Sequence, residues 1–567
     1  MSNLSKSQRE PLKKRVLLLN PYSDEYSDIK KENLHAVDEG RLFVETPLGL
    51  LYVYTYAKAN LPDVEFHIID AQALLIENIT KGMDANWQML MGMIRDIAPD
   101  VVGVGAYYFQ SARLFHQTCK KIKSELPGAI IVAGGNYPTD AQDKVLSDKN
   151  VDYIVISEGE RTFAEFLRNH FSGEDVKMLP GLGFRNPGPD VQVNPQVFIE
   201  DLSGIHIPDR SVLPMHVYGR GRNMLDRIFG AKNYRALSMT ISRGCPFACK
   251  FCSAKNFWGR RIRYRDAGSV LDEMQELKER YGATVVVIND DNYLLNKAKA
   301  SEIMRGMIER KLNIKWYAGG GTAVRVFLDR DYLDLAVRSG YCCFNLAIES
   351  SSDETLKRVS KPVRADEARK LVKIIRSRYP HLWIAGYFVV GFPFELKQDI
   401  INTFEFSREL ELDWCTYSVF KLFPKTELYD EYIEQIKADQ HISGDASTFE
   451  THYQFSSDIL NINGLDWDKA WLFRAQYRYN LEVNFLKNRN ITHGCYEQAL
   501  RDFQYVMNIA PDHAIAYRQG ALAAERLGNI KLAKEYARRE REIMAEPNEF
   551  TDWYEQLGIQ GADETAE

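Results

Sequence analysis

The chain reads as an α/β protein in three parts: an N-terminal doubly wound, Rossmann-like domain, a central partial (β/α)6 barrel and an all-helical C-terminal region. Three observations predict this. Short β-branched runs alternate with helix-length amphipathic segments in two separate blocks, the pattern of parallel sheets covered by helices. A stretch rich in Pro, Gly and Arg divides the blocks, and beyond the second block the periodicity becomes helical throughout. The boundaries fall at 14–177 for the first domain, 178–236 for a connector, 237–436 for the barrel and 437–567 for the helices.

Composition sets limits on function. With 567 residues, 45% hydrophobic and 26% charged, the chain has room for several cores. The polar N-terminus MSNLSKSQREPLKKR runs straight into VLLLN without a signal-peptide core, and no run reaches the ~18 apolar residues of a membrane span. A cytoplasmic protein without a membrane span is expected. A net charge of −6 exerts no overall pull on nucleic acid. The basic run RRIRYR (260–265) is read as a solvated strand edge rather than a nucleic-acid contact.

In the first block the strands are RVLLLN (15–20), EFHIID (65–70), DVVGVGAY (100–107), AIIVAGG (129–135) and DYIVIS (152–157). Their carboxyl ends carry the turns NPYS, GAYYFQS, GGNYPT and SEGE, where a doubly wound sheet opens its ligand crevice. Tyr22, Tyr26, Tyr107 and Tyr108 are expected as walls of that crevice. The second block offers ALSMTIS, TVVVIND, IKWYAGG, CCFNLAIES, WIAGYFVVG and WCTYSVFKL, so functional residues should stand at the carboxyl ends of these six strands.

Directly after the first of them comes SRGCPFACKFC, which places Cys245, Cys249 and Cys252 in a C-x3-C-x2-C loop. Structural zinc takes four ligands, commonly from two C-x2-C pairs, and no second pair follows. A four-iron cluster takes one thiolate per iron, and three cysteines leave one iron open to a ligand from outside the protein. The other five cysteines (Cys119, Cys342, Cys343, Cys415 and Cys495) lie scattered in apolar surroundings that suit buried thiols.

This loop, with Phe251 directly before its third cysteine, resembles that of the radical S-adenosylmethionine (radical SAM) superfamily. The resemblance implies that Cys245, Cys249 and Cys252 hold a 4Fe-4S cluster and that SAM chelates its open iron. It places Phe251, Gly391 and Pro393 (in VVGFPFE) near the adenine, and Glu349 and Ser350 (in LAIESSS) at the ribose. Asp290 and Asp291, after the second strand, would accept the SAM ammonium, and Arg325 would pair its carboxylate. One segment departs from the family: in KLFPKTELY, Lys425 stands where glycine is common.

The order of the two blocks resembles the cobalamin-binding class of that superfamily. PLGLLYVYTYA (47–57), DVVGVGAYYFQS (100–111), AIIVAGGNYPTD (129–140) and VDYIVISEGERTF (151–163) carry the likeness. It implies a cobalamin against Gly105, Tyr107, Gly134, Gly135, Glu158, Gly159 and Glu160. The D-x-H-x-x-G segment that supplies an axial imidazole elsewhere is absent, His35 and His67 lie in unrelated settings, and Asn136 replaces the class's usual histidine. A corrinoid is therefore expected to bind without histidine on cobalt. A purely structural or docking role is the alternative for this domain.

In the C-terminal region Ala499 and Ala533 are 34 residues apart (533 − 499), and APDHAIAY with ALAAERLGN resembles a tetratricopeptide-like unit. Fewer repeats are visible than an independent array needs, so a helical cap on the barrel is expected, with docking of a partner protein as the alternative. Taken together, the resemblances imply an enzyme that methylates an unactivated carbon of a small or lipid-like molecule, fed electrons by a flavodoxin or ferredoxin. The alternatives are an oxidative cyclase or carbon-carbon bond-forming enzyme without methyl transfer and, from another class, a tetratricopeptide adaptor with a vestigial barrel. The sequence assigns no catalytic residue and names no substrate.

Overall fold

The computed structural model describes residues 13–23, 44–81, 83, 86–107, 112–188, 190–221, 223–230, 233–438 and 465–559. Tyr26, His35 and Tyr108 lie outside the described residues. The described residues form two compact units: those within 13–23, 47–200 and 204–215 make one, and those within 44–46, 201–203 and 216–559 the other. Among the described residues no helix is long and apolar enough to cross a membrane.

The first unit is built on β1 (Arg15–Asn20), β2 (Glu65–Asp70), β3 (Val101–Gly105), β4 (Ile130–Gly134) and β5 (Tyr153–Val155). All five are parallel, in the order β2-β1-β3-β4-β5. The four interior residues of β1 and four of the five in β3 are buried, as continuous apolar runs covered on both faces require. The strand order reverses between β1 and β3, the switch point at which this topology binds ligands.

The sheet does not stop at residue 177. β6 (Leu182–Arg185) and β7 (Val191–Val193), from the segment read as connector, add two antiparallel strands to its edge. Runs of four and three residues around a Pro- and Gly-rich turn are too short for a period of two to be counted, so the sequence reads as loop.

The second unit carries β8 (Ala236–Met239), β9 (Ser242–Arg243), β10 (Arg263–Tyr264), β11 (Val285–Ile288), β12 (Lys315–Ala318), β13 (Cys343–Glu349), β14 (Trp383–Val390) and β15 (Trp414–Val419). Six of these form two parallel three-stranded sheets, β12-β11-β8 and β13-β14-β15. Isolated parallel bridges, Trp316↔Tyr341 and Thr322↔Leu346, carry the order from β12 to β13. Phe388 and Tyr417 turn one face of the second sheet toward Phe406 and Phe404 of the helix Lys397–Glu409. By alternation along the strands, Tyr387, Trp414 and Thr416 stand on the opposite, inner face.

The basic run at 260–265 is only partly the solvated edge expected of it. β10 pairs antiparallel with β9, Arg263 donates to the Trp258 carbonyl, and Arg265 is buried in an ion pair with Glu273 at 2.5 Å. Arg260 and Arg261 remain exposed.

The C-terminal helices belong to the same unit as the barrel. Helices Tyr496–Ile509, Ala514–Arg526 and Ile530–Met544 pack around Phe485, Phe503, Ile515 and Tyr554, with Ala499 in that core. A π-helical turn, Glu482–Leu486, turns Asn484 onto the free edge of β15. Its amide accepts from Cys415 N–H and donates to Cys415 C=O, both at 2.8 Å, and Gln476 donates to the Tyr417 carbonyl. Two side chains thereby satisfy a strand edge that would otherwise be open to another chain.

Candidate active site

The cysteine loop begins at Gly244, whose φ is +104° and where a Cβ would come within 2.1 Å of the Arg261 carbonyl oxygen. Only glycine fits this turn out of β9. Cys245, Cys249 and Cys252 are partly buried and close enough to act on one another electrostatically. Burial raises all three thiols, Cys249 up to about 11. Asn292 donates to Cys245 Sγ at 3.0 Å, and the Lys361 ammonium bears on all three sulfurs.

Among the described residues no three His, Cys, Asp or Glu side chains gather for a single metal ion. A cluster holds its thiolates at separate corners, farther apart than the ligands of one ion. Three thiols facing one another, with a neutral donor and a cation beside them, fit an anionic iron-sulfur group.

The two aspartates after β11 have opposite surroundings. The buried Asp290 carboxylate accepts from Ile241 N–H at 3.1 Å, Ser242 N–H at 2.6 Å and Ser242 Oγ–H at 2.8 Å. It braces the approach to the cysteine loop with donors from Ile241 and Ser242. Asp291 Oδ2 is buried without a partner, and burial pushes its carboxyl up to about 6. It bears on Cys245 and Cys252, and an unpaired buried oxygen suits an ammonium.

Arg325, expected at the SAM carboxylate, has a carboxylate partner within the chain. Its Nε pairs with both Glu367 oxygens at 2.9 Å, with the arginine side chain half exposed. The cation that does face the cysteines, Lys361, was missed by sequence reasoning. It pairs with Glu349 at 2.7 Å, both side chains largely buried. A lone lysine in KRVSKPVR carries no signal of its own, because the folded loop rather than a spacing brings it to the thiols.

Glu349 holds a left-handed backbone at φ +70°, a strained conformation for a residue with a side chain. Ser350 is buried against Thr403 at 3.3 Å. Phe251 packs beside Phe392, ring centroids 5.8 Å apart. Gly391 and Pro393 form the turn after β14, where Gly391 N–H and Phe392 N–H donate to Glu395 at 3.0 Å each. Lys425 adopts φ +59°, which explains why a glycine suits that position.

In the first unit, Gly105 and Gly134 end β3 and β4, and Tyr107 beyond β3 is exposed. Gly135 has φ +105°, with a Cβ position 2.5 Å from the Ala106 carbonyl oxygen, so the two strand ends close together only around glycine. Glu158 is buried and accepts from Ile199 N–H at 2.8 Å, and Gly159 precedes a helix begun by buried Glu160. Tyr22 Oη and Ser23 Oγ, just past β1, are buried without partners, polar atoms that fit a polar ligand at the switch point.

His67 lies within β2, beside Glu65 at 3.0 Å. His116, unremarked in the sequence, spends both ring nitrogens, on Asp148 at 2.6 Å and Tyr137 Oη at 2.9 Å.

Comparison with known proteins agrees with both halves of this description. The radical SAM superfamily profile matches residues 239–407, and the B12 binding domain profile matches 36–167. The chain belongs to the cobalamin-binding class of the radical SAM superfamily. It is 28% identical over 390 residues to an uncharacterised methyltransferase of Pyrococcus horikoshii, covering 68% of this chain and 78% of the relative. It is 25% identical over 432 residues to the cytidylyl-2-hydroxyethylphosphonate methyltransferase of Streptomyces wedmorensis, covering 71% and 78%. The fold is that of the radical SAM methyltransferase TsrM of Kitasatospora setae, solved with cobalamin and a [4Fe-4S] cluster. The match has a TM-score of 0.59 at 16% identity, over 94% of this chain and all of that one. Membership of the class implies a 4Fe-4S cluster, SAM and cobalamin as cofactors.

Proposed function

We propose that this chain, acting in the cytoplasm, places a methyl group from SAM on an unactivated carbon of a small or lipid-like molecule, through a cluster held by Cys245, Cys249 and Cys252. The observation that carries the reading is the unspent Asp291 carboxylate oxygen beside three facing thiols, in a chain that also has a B12 binding domain. When bound, the cluster, SAM and cobalamin supply one-electron chemistry at carbon and a transferable methyl group.

The protein's part is positional. Asp290 holds the cysteine loop against β8 and β11. Asp291 accepts from the ammonium of SAM, and Lys361, steadied by Glu349, stands beside the thiols as a further cation for its carboxylate. Phe251 and Phe392 wall the adenine side and keep water from it. In the first unit Tyr22, Ser23, Gly105, Tyr107, Gly134 and Gly135 offer the switch-point crevice to the corrinoid. A flavodoxin or ferredoxin delivers the electron.

Incubating the reduced enzyme with deuteromethyl-SAM and a metabolite extract from cells lacking the protein tests this. A labelled product should appear, with deoxyadenosine and S-adenosylhomocysteine in near-equal amounts. Deoxyadenosine without label transfer or the homocysteine nucleoside would replace methyl transfer by the oxidative reading.

A further inference from the structure

Arg227, on the helix Asn223–Phe229, is a buried guanidinium whose Nε and Nη1 have no hydrogen-bond partner. It lies against the Trp414 ring, 3.5 Å from the centroid, and 4.7 Å from that of Tyr505. The ring contacts hold its flat faces and leave the donor edge unspent. Its backbone is fixed too, since Gln498 and Arg501 both donate to the Arg227 carbonyl.

The two carboxylates that act on Arg227 are committed elsewhere. Asp502 accepts from Asn490 and Gln498, each at 3.0 Å, and burial pushes its carboxyl up to about 7. Asp226 accepts from Tyr234 Oη–H at 2.6 Å, and burial raises it to about 6. Buried charge is costly unless paired, and among the described residues this one makes no ion pair.

Its position is informative. Trp414 and Tyr387, both in reach of Arg227, stand on the face of the β13-β14-β15 sheet turned away from the helix Lys397–Glu409, Trp414 at the amino end of β15 with its ring also on Phe485 of the C-terminal helical core. On the same face, Asn345 stands directly opposite Ala385 in register and Trp383 lies two positions before Ala385 on β14; Asn345 Oδ1 and Trp383 Nε1 are buried without partners.

We propose that this face receives the acidic group of the substrate, a carboxylate or phosphate, on the Nε–Nη1 edge of Arg227, with the helix Tyr496–Ile509 forming the wall behind it. The inference rests on the reading of the barrel as the reaction chamber and names the chemical class of its substrate. It also gives the C-terminal helices a part in recognition, since Tyr505 and the donors to the Arg227 backbone belong to them. A guanidinium edge presents two parallel donors to an oxyanion, which an ammonium cannot copy.

The test is thermal denaturation of the full-length, anaerobically purified protein in sodium propionate or sodium phosphate against sodium chloride of equal ionic strength. The wild-type melting temperature should rise saturably with at least one of the two anions, and which one separates carboxylate from phosphate. R227Q should show no saturable rise, and R227K should need at least tenfold more anion. No saturable rise in the wild type, or the same rise in R227Q, would overturn the proposal. If R227Q does not fold, R227K decides, and equal midpoints for it and the wild type would count against the site. Deoxyadenosine release from SAM by the wild type alone is measured separately, so failure of the radical reading is distinguishable from failure of this one.

Discussion

Asp290 and Asp291 are one residue type at adjacent positions, and the backbone sends them to opposite tasks. Asp290→Ala removes the acceptor of three donors at Ile241 and Ser242, at a cost of about 3 kcal/mol for buried bonds to a charged group. With the loop unbraced, anaerobic reconstitution should give clearly fewer irons per chain than the wild type. Asp291→Asn keeps size and shape, so iron content should hold while the SAM dissociation constant, read by equilibrium dialysis, rises at least tenfold. An Asp290→Ala protein with full iron would remove the bracing role. The sequence could show that two carboxylates end a strand, but not which one the loop uses, because that depends on the φ, ψ of the turn and not on spacing. Lys361 was illegible for the same reason, whereas the cysteine trio was legible because its chemistry is local in sequence.

At the scale of elements, the strands of the parallel sheets could be read because short apolar runs such as VLLL, IIVA and VVVI between helical patterns have few other uses. The pair β9–β10, two residues each, could not. Nor could the role of Asn484: a polar residue in a helical stretch reads as solvent-facing, and only a π-helical turn aims it at a strand edge. The helix Ala514–Arg526 offers a pH test of this packing. His513 caps it through Nδ1, which accepts from Ala516 N–H at 3.1 Å, and its ring stacks on Phe485. Burial lowers His513 from 6.5 to about 4. Between these values the folded chain binds fewer protons than the unfolded one, so the contribution is full above about pH 6.5 and is lost as pH falls through about 4, ~3 kcal/mol in all. Urea denaturation at pH 7 and pH 4.5 should show this loss in the wild type, and His513→Gln should flatten it. An unchanged pH slope in the variant would assign the titration elsewhere.

For the molecule as a whole, the order of parts was legible and the boundaries were not. The first sheet takes two strands from the supposed connector, and residues 44–46 join the second unit although they precede most of the first. Glu45 shows how: it accepts from Asn289 and from Ser238, contacts between residues too distant in sequence for any pattern to link. The helices at the C-terminus complete the barrel unit by satisfying β15, so deleting residues 440–567 should leave an open apolar edge and yield aggregated protein, as light scattering would show. A monodisperse truncate that still released deoxyadenosine from SAM would instead make the helices a docking module. The Asn484 contact also sets a timetable. The groups it satisfies on Cys415 lie 69 residues earlier in the chain, which a ribosome adding about 5–20 residues per second needs roughly 3–14 s to cover. Throughout that interval the last barrel strand has left the peptidyl-transferase centre while its seal is still unsynthesised. Trigger-type holding of the nascent barrel, or slow translation before residue 484 being harmful rather than helpful to yield, follows from one amide side chain placed so late.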